Sequence, residues 1–189
     1  MEMIRRGDLY TPEQYSKILN EERRRIIEVK KERRIVSKTF SFLFENRDTI
    51  LNQINEMIFV ENVHDEREID HLLETYNKLM PEKNEFSVTM FIEISDEKTL
   101  LKEMTRLVGI EDSVYLIYGD SEIKCIPEEG RSTETLESTL QYLKIRLSMA
   151  ESEKFRASKN AFISTKHRNY SETAQIPESL LEKLKKEIY

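Results

Sequence analysis

Residues 39–57 read TFSFLFENRDTILNQINEM, and within them a strand pattern gives way to a helix pattern. The first part alternates, so that Phe40, Phe42 and Phe44 share one face of a predicted strand. The apolar residues that follow recur at helical spacing, which predicts a helix over 49–62. This change of period within one short stretch indicates a fold that mixes helices and strands.

Both patterns recur along the chain. Amphipathic or capped stretches predict helices over 11–34, 66–80, 96–108, 150–158 and 177–188. Alternating stretches predict strands over 39–44, 87–94, 142–148 and 161–165, and a hairpin over 114–126 that turns at Gly119-Asp120. We therefore predict an α+β fold with a mostly antiparallel sheet and packed helices. We expect an N-terminal helical extension over 1–36, one α+β folding unit over 37–189 and a mobile loop at 128–135.

Composition restricts the class of protein and the compartment. The chain has 189 residues, enough for one domain with a buried core, and its formal net charge is −6. General affinity for nucleic acid or for an anionic membrane is therefore not expected. No apolar run reaches the roughly 20 residues of a membrane span, and MEMIRRGDLY at the N-terminus lacks the apolar core of a signal peptide. We expect a soluble, cytoplasmic protein, and its 35% of charged residues suit heat tolerance.

Cysteine and glycine usage exclude several chemistries. Cys125 is the single cysteine, so the chain forms no internal disulfide and no zinc or iron–sulfur site from several of its own thiolates. Its place in a predicted strand favours a packed, inert thiol over a nucleophile. The four glycines belong to no phosphate-cradling loop, which excludes P-loop and dinucleotide fingerprints.

A basic run, RRRIIEVKKERR at 23–34, is one candidate binding surface. On a helix Arg23, Lys30 and Arg34 share much of one face, which could follow a phosphate backbone. Glutamates are interleaved with these residues, however, and no aromatic platform accompanies them. We therefore favour a solvated or subunit-facing helix, with a homodimer as a candidate assembly, and keep nucleic-acid binding through 23–34 as a third functional hypothesis.

Two Glu-x-x-His matches, Glu61 to His64 and Glu68 to His71, have the spacing that di-iron proteins use on a helix. Those proteins draw their two motifs from different helices and add two further carboxylates. Here the motifs are only seven residues apart, and we expect the segment between them to break the helix. Coincidence in a glutamate-rich chain is therefore the preferred interpretation.

The junction between the first strand and its helix has more polar side chains than helix capping needs. Asn46 or Asp48 can cap the helix. That leaves Glu45 at the strand end, together with Gln53 and Glu56, which helical spacing places near one another. Such a cluster can form a buried polar network, a metal site or an acid/base pair. We favour the structural network and keep a functional site as the alternative.

A second polar candidate is KHRNY at 166–170, which offers His167 and Tyr170 directly after a predicted strand. A lone imidazole in such a position is more often a hydrogen-bonded structural residue than a catalyst. A catalytic role for His167 requires that it lie close to Glu45 and Glu56 in the folded protein.

Four motifs carry a resemblance to a known family. They are FENRDT at 44–49, Gln53 with Glu56-Met57, TYN at 75–77 and RLVGIED at 106–112. Together they resemble an uncharacterised prokaryotic family, the domain of unknown function 3501, over nearly the whole chain. Members of this family are often encoded beside rubrerythrin and a cysteine-rich iron–sulfur oxidoreductase. The resemblance therefore implies a role near peroxide handling or anaerobic redox metabolism, with those two proteins as expected partners, but no established activity.

The resemblance also implies which polar positions matter. Those that recur in the family correspond to Glu45, Asn46, Arg47, Gln53, Glu56, Tyr76 and Asn77. His167 and Tyr170 resemble a late His-Pro-x-Tyr motif of the family, from which this chain departs because Arg168 replaces the proline. His64 and His71 match nothing in the family pattern, which further weakens the di-iron interpretation.

These observations lead to one leading hypothesis and one enzymatic alternative. The first is an accessory or binding protein of a redox system, in which the Glu45–Glu56 region and Arg47 hold a small anion, a metal or a partner segment. Its expected ligand-binding residues are Asn46, Arg47, Gln53, Tyr76, Asn77 and Tyr170. The alternative is a metal-assisted or acid/base enzyme, with Glu45 or Glu56 as general base and His167 as acid. The sequence specifies no metal and no cofactor.

Overall fold

The structure is a computed structural model that describes residues 2–128 and 138–188 of the chain. It has an α+β fold, and every strand pair within the described residues is antiparallel, which confirms the predicted fold class. The predicted loop at 128–135 lies outside the described residues from position 129 onward. In the described part of the chain, no helix is both long enough and apolar enough to cross a membrane.

Residue contacts divide the chain into two compact units. The helical unit consists of Met1–Arg33 and Glu45–Glu82, and the β unit consists of Arg34–Phe44 and Lys83–Tyr189. The predicted N-terminal extension therefore shares its unit with residues from beyond position 36. As a boundary of independent folding, the division between 1–36 and 37–189 stays a prediction.

The described part of the helical unit contains three α-helices. They are α1 (Pro12–Arg33), α2 (Arg47–Val60) and α3 (Glu66–Asn77). The N–H of Thr11 donates to the side chain of Gln14 at 3.0 Å, and the N–H of Gln14 donates to the Thr11 hydroxyl at 3.3 Å, so α1 begins with a reciprocal cap. Helix α2 packs against both α1 and α3. Its buried stripe follows the helical spacing seen in the sequence and contains Ile50, Ile54 and Ile58.

Helix α2 ends at a turn in which Asn62 adopts a left-handed backbone conformation. Asn62 has φ +50°, in the left-handed region that most side chains avoid. The N–H of Asn62 donates to the Phe59 carbonyl at 3.3 Å, and the N–H of Val63 donates to the Ile58 carbonyl at 2.9 Å. This pair of bonds is a Schellman motif, and the buried Val63 supplies its apolar contact. The helix is therefore closed before His64.

The described part of the β unit contains nine strands and three α-helices. The strands are β1 (Arg34–Val36), β2 (Phe40–Phe44), β3 (Glu85–Ile92), β4 (Val114–Tyr118), β5 (Ser121–Lys124), β6 (Ile126–Pro127), β7 (Leu140–Arg146), β8 (Ala161–Lys166) and β9 (Ser171–Gln175). The helices are α4 (Glu97–Met104), α5 (Met149–Ala157) and α6 (Glu178–Glu187). Within the described residues one sheet has the order β1-β2-β3-β7-β6 and the other has the order β5-β4-β8-β9.

The core of the β unit takes side chains from both sheets and from α5 and α6. It includes Phe40, Phe42 and Phe44, which the alternation placed on one face of β2. Cys125 lies between β5 and β6 and is buried in the same core. Because burial disfavours the thiolate, it raises the pKa of the Cys125 thiol, in agreement with the predicted inert role.

Several element boundaries differ from those that the sequence predicted. Strands β1, β6 and β9 were not predicted, and α4 ends at Met104 instead of continuing to residue 108. The sequence of β9, SETAQ, is mostly polar, and its strand state comes from pairing with β8. The predicted hairpin is confirmed, since Tyr118 pairs with Ser121 around a loop in which Gly119 has φ +51°.

Gly109, in the turn after α4, is expected to resist substitution. Its φ is +83°, whereas a Cβ built there would meet nothing within 4 Å, so the whole penalty of an alanine is backbone strain. We expect Gly109→Ala to lower the free energy of unfolding by about 1 kcal/mol, measured by urea denaturation. Gly7→Ala is the matched control, because a Cβ at Gly7 is equally unobstructed and its φ is not positive. Equal losses in the two variants would contradict the strain argument.

Candidate functional site

The junction that the sequence singled out begins with a complete helix cap. The side chain of Asn46 accepts a hydrogen bond from the N–H of Thr49 at 2.9 Å, and the Thr49 hydroxyl accepts one from the N–H of Asn46 at 2.9 Å. Asn46 is therefore the N-cap of α2, one of the two capping residues that the sequence offered.

The charged residues of the junction have partners inside the helical unit. Arg47 pairs with Asp8 at 2.7 Å, and Asp48 lies 3.8 Å from Arg25. Glu45 is buried, and its backbone carbonyl accepts a bond from the guanidinium of the equally buried Arg33 at 3.4 Å. An external ligand of Arg47 would therefore have to displace the Asp8 carboxylate. The ligand role of Arg47 stays a prediction, and it requires that the ion pair with Asp8 be broken.

Asn77 holds the N-terminal segment in place. Its side-chain oxygen accepts from the N–H of Ile4, and its side-chain nitrogen donates to the carbonyl of Ile4, both at 2.9 Å. The amide thus pairs with backbone as a neighbouring strand would. This contact uses both ends of the side chain and gives Asn77 a structural task.

Glu56 is fixed by two residues of α1. Arg23 donates to its two carboxylate oxygens at 2.9 and 2.7 Å, and the Tyr15 hydroxyl donates to one of them at 3.0 Å. The bonds from Arg23, together with that from Tyr15, outweigh partial burial and hold the pKa of Glu56 below its ordinary value. A carboxylate whose pKa is lowered in this way is a weaker general base at neutral pH than an ordinary glutamate.

The hydrogen bonds continue from Tyr15 along α2. The side-chain nitrogen of Asn52 donates to the Tyr15 hydroxyl at 3.1 Å, and the side-chain oxygen of Asn52 lies 3.5 Å from the ammonium of Lys30. Burial, and then the bond to Glu56, raise the pKa of Tyr15, so its hydroxyl stays protonated. Tyr15, Asn52 and Lys30 were not among the predicted site residues. A signal for Asn52 was available, because Asn52 and Asn55 are amides within the buried part of α2.

An open cleft of about 260 Å³ lies beside this network, and we call it the Lys30 cleft. It brings together three of the predicted site residues, Gln53, Glu56 and Tyr76, with Lys30, Asn52 and Met57, which were not predicted as site residues. The lining thus combines one ammonium group, two amides and two carboxylates with an apolar wall. The Glu56 carboxylate is fixed by Arg23 and Tyr15, and the second carboxylate is that of Glu61 at the end of α2. Such a mixture of a few polar groups on an apolar surface is typical of small-molecule sites.

The basic helix is largely neutralised by acids of the same unit. Arg23 pairs with Glu56 at 2.7 Å, Arg25 pairs with Glu22 at 2.6 Å and Lys31 pairs with Glu28 at 2.7 Å. These pairs turn the run at 23–34 into a mixed surface. A phosphate-binding face would instead present unpaired cations in a row.

His167 and Tyr170 lie in the β unit, at the turn between β8 and β9. The N–H of Asn169 donates to Nδ1 of His167 at 3.3 Å, which leaves Nε2 to donate to the Val108 carbonyl at 3.1 Å. The Tyr170 hydroxyl donates to the Glu103 carboxylate. The turn thus holds the segment after α4, in which the RLVGIED motif begins at Arg106.

His167 and Tyr170 both have structural roles in this turn, because their polar groups are hydrogen-bonded within the β unit. Burial, followed by the bond to Glu103, raises the pKa of Tyr170 to about 12. Both ring nitrogens of His167 are engaged with backbone groups. Glu45 and Glu56 belong to the helical unit and His167 to the β unit. Their joint action as acid and base stays a prediction.

Neither Glu-x-x-His match forms a metal site in the described chain. Glu61 caps the C-terminus of α2, so His64 does not share a helix with it, whereas Glu68 and His71 both lie on α3. Among the described residues, no group of three or more His, Cys, Asp or Glu side chains is placed to hold a metal ion.

Comparison with known proteins agrees with the sequence motifs. A family model described as "Protein of unknown function (DUF3501)" matches residues 3–188. The chain is also similar to a crystal structure of a novel protein of unknown function from Burkholderia pseudomallei K96243, with 30% identity, a TM-score of 0.92 and coverage of 100% of both chains. No curated protein matches the sequence. Since the family model spans nearly the whole chain, the chain belongs to the DUF3501 family.

Proposed function

We propose that the chain is a binding module that holds a small organic anion in the Lys30 cleft. The observation that carries this proposal is the state of Lys30. Within the described residues its ammonium forms no ion pair. It lies 3.5 Å from the side-chain oxygen of Asn52, a neutral amide, and its charge contributes to lowering the pKa of Glu56. The neighbouring Arg23, Arg25 and Lys31 are all paired with carboxylates. Lys30 is therefore the cation in the lining of the cleft that is available to a ligand.

The other polar groups of the cleft support binding rather than acid/base catalysis. Arg23 and Tyr15 hydrogen-bond to the Glu56 carboxylate and lower its pKa. Glu56 therefore fixes the wall of the cleft and takes up a proton less readily than an ordinary glutamate. Gln53 offers an amide donor beside Lys30, and Met57 offers an apolar surface. A ligand with one anionic group and a small apolar body matches this lining.

Lys30→Met tests the proposal, because it removes the charge but keeps most of the aliphatic chain. The probes are acetate, butanoate, succinate and inorganic phosphate, titrated into the full chain by calorimetry. We expect a carboxylate to bind, and Lys30→Met to weaken it about tenfold or more, as loss of a charge-assisted hydrogen bond does.

Lys31→Met is the matched control for that experiment. Lys31 is the next residue on α1, is exposed, and pairs with Glu28 away from the cleft lining. Its replacement should leave the affinity unchanged. Binding that is equally strong in Lys30→Met, or failure of all four probes to bind, would overturn the proposal.

The family adds a context for such a module. We further propose that it serves a redox or peroxide-defence system, with rubrerythrin or the iron–sulfur oxidoreductase as its partner; this rests on the sequence resemblance alone. Co-purification of the untagged chain with either protein would support a physical association. Separate elution of the purified proteins at micromolar concentration would contradict it.

A further inference from the structure

A second cleft adjoins the Lys30 cleft along α2. It has a volume of about 410 Å³ and shares Met57 and Glu61 with the first cleft, so the two clefts are neighbours. Its wall is mainly apolar and includes Val63 and the half-buried Leu72. Exposed aliphatic surface of this kind gains from being covered by an apolar ligand.

The two clefts together form a groove with a charged end and an apolar end. Lys30 lies beside Asn52, whereas the shared Glu61 is nine residues further along the chain, a distance of about 13 Å at the rise of an α-helix. Val60, between the two ends, is 64% exposed and adds aliphatic surface to the groove. The groove therefore offers one site for an anion beside Lys30 and, beyond Met57 and Glu61, a mainly apolar surface.

We infer that the anion held by Lys30 is the head of a linear alkyl monocarboxylate, whose tail lies over Met57 and Val60 and enters the apolar cleft at Val63 and Leu72. This inference rests on the proposed function and adds the class of ligand. A compact carboxylate would leave the exposed aliphatic surface uncovered. A linear tail covers it without requiring a further polar partner.

The test is a chain-length series of butanoate, hexanoate, octanoate and decanoate, titrated into the full chain below their micelle concentrations. Each buried methylene should tighten binding about fourfold, which corresponds to about 0.8 kcal/mol. The gain should stop when the tail has filled the second cleft. Leu72→Gln should weaken octanoate several-fold and leave butanoate unchanged. Leu101→Gln, at a 60% exposed leucine of the β unit, is its matched control and should affect neither.

The outcomes separate this inference from the proposed function. If butanoate binds through Lys30 and longer chains bind no more tightly, the tail assignment is wrong and the anion site stands. If no carboxylate of any length binds, both are wrong. Equal affinity for octyltrimethylammonium would overturn the assignment of the head group. Equal affinity for the dicarboxylate of the same length would overturn the assignment of an uncharged tail.

Discussion

Phe155→Ala is expected to lower the free energy of unfolding by about 3–5 kcal/mol, the usual cost of removing a phenyl ring from a packed core. The Phe155 side chain on α5 is fully buried. Its ring centre lies 5.2 Å from that of Phe86 and 5.1 Å from that of Tyr118, so one truncation removes two aromatic contacts. Urea denaturation and thermal unfolding would measure the loss, which corresponds to a fall in Tm of about 10 °C for a chain of this size.

The control for this variant is Phe162→Ala in the same unit. Phe162 lies on β8 and is only half-buried. Its truncation removes less buried area and should therefore cost at most about half as much. Equal losses of stability at the two positions would contradict the packing of Phe155 against Phe86 and Tyr118 in the core.

Tyr15→Phe is expected to cost about 1–3 kcal/mol, although it removes a single oxygen. The buried hydroxyl donates to Glu56 and accepts from Asn52, so its loss leaves a buried amide donor without its acceptor. Tyr10→Phe is the matched control, since Tyr10 is 42% exposed and lies on the same helical unit. It should change the free energy of unfolding by less than about 0.5 kcal/mol.

The loss in Tyr15→Phe should depend on pH. The folded protein lowers the pKa of Glu56, so the bonds to its carboxylate stabilise the fold above the unfolded pKa of about 4.3. That stability disappears as the pH falls through the folded pKa. The difference between wild type and variant should therefore be largest above about pH 5 and should shrink on acidification below it. A difference that grows at low pH would contradict the role assigned to the carboxylate.

The place of the candidate site could be predicted from sequence, but its composition could not. Local capping chemistry offered Asn46 or Asp48 as the cap, and helical spacing placed Gln53 near Glu56, because both rules depend on neighbours in the chain. The partners of Glu56 come from α1, and Tyr15 is 41 residues away. Tyr15 fits an apolar position of that helix equally well. The hydrogen bonds of its hydroxyl to Glu56 and Asn52 can be seen only when α1 is packed against α2.

The same limit explains the elements that were missed in the β unit. Alternation in β2 identified the phenylalanine face, yet Ser41 and Leu43 on the other face are buried too. In β9, residues Ser171–Gln175 alternate between exposed and half-buried positions, and they carry no apolar signal strong enough for a strand. Their state follows from register with β8, in which Ile163 is paired with Ala174. Register between strands is a property of the fold rather than of either segment.

The order in which the chain passes through its two units limits how recombination can divide the gene. The chain passes from one unit to the other after Arg33, after Phe44 and after Glu82. No single break in the gene can therefore deliver one unit complete and leave the other whole. Recombination at any of these three crossings would separate Arg23 from Glu56, or β2 from β3, and would divide at least one unit between the two products. Homologues should accordingly carry both units together, and fusions to other proteins should occur at the ends of the chain.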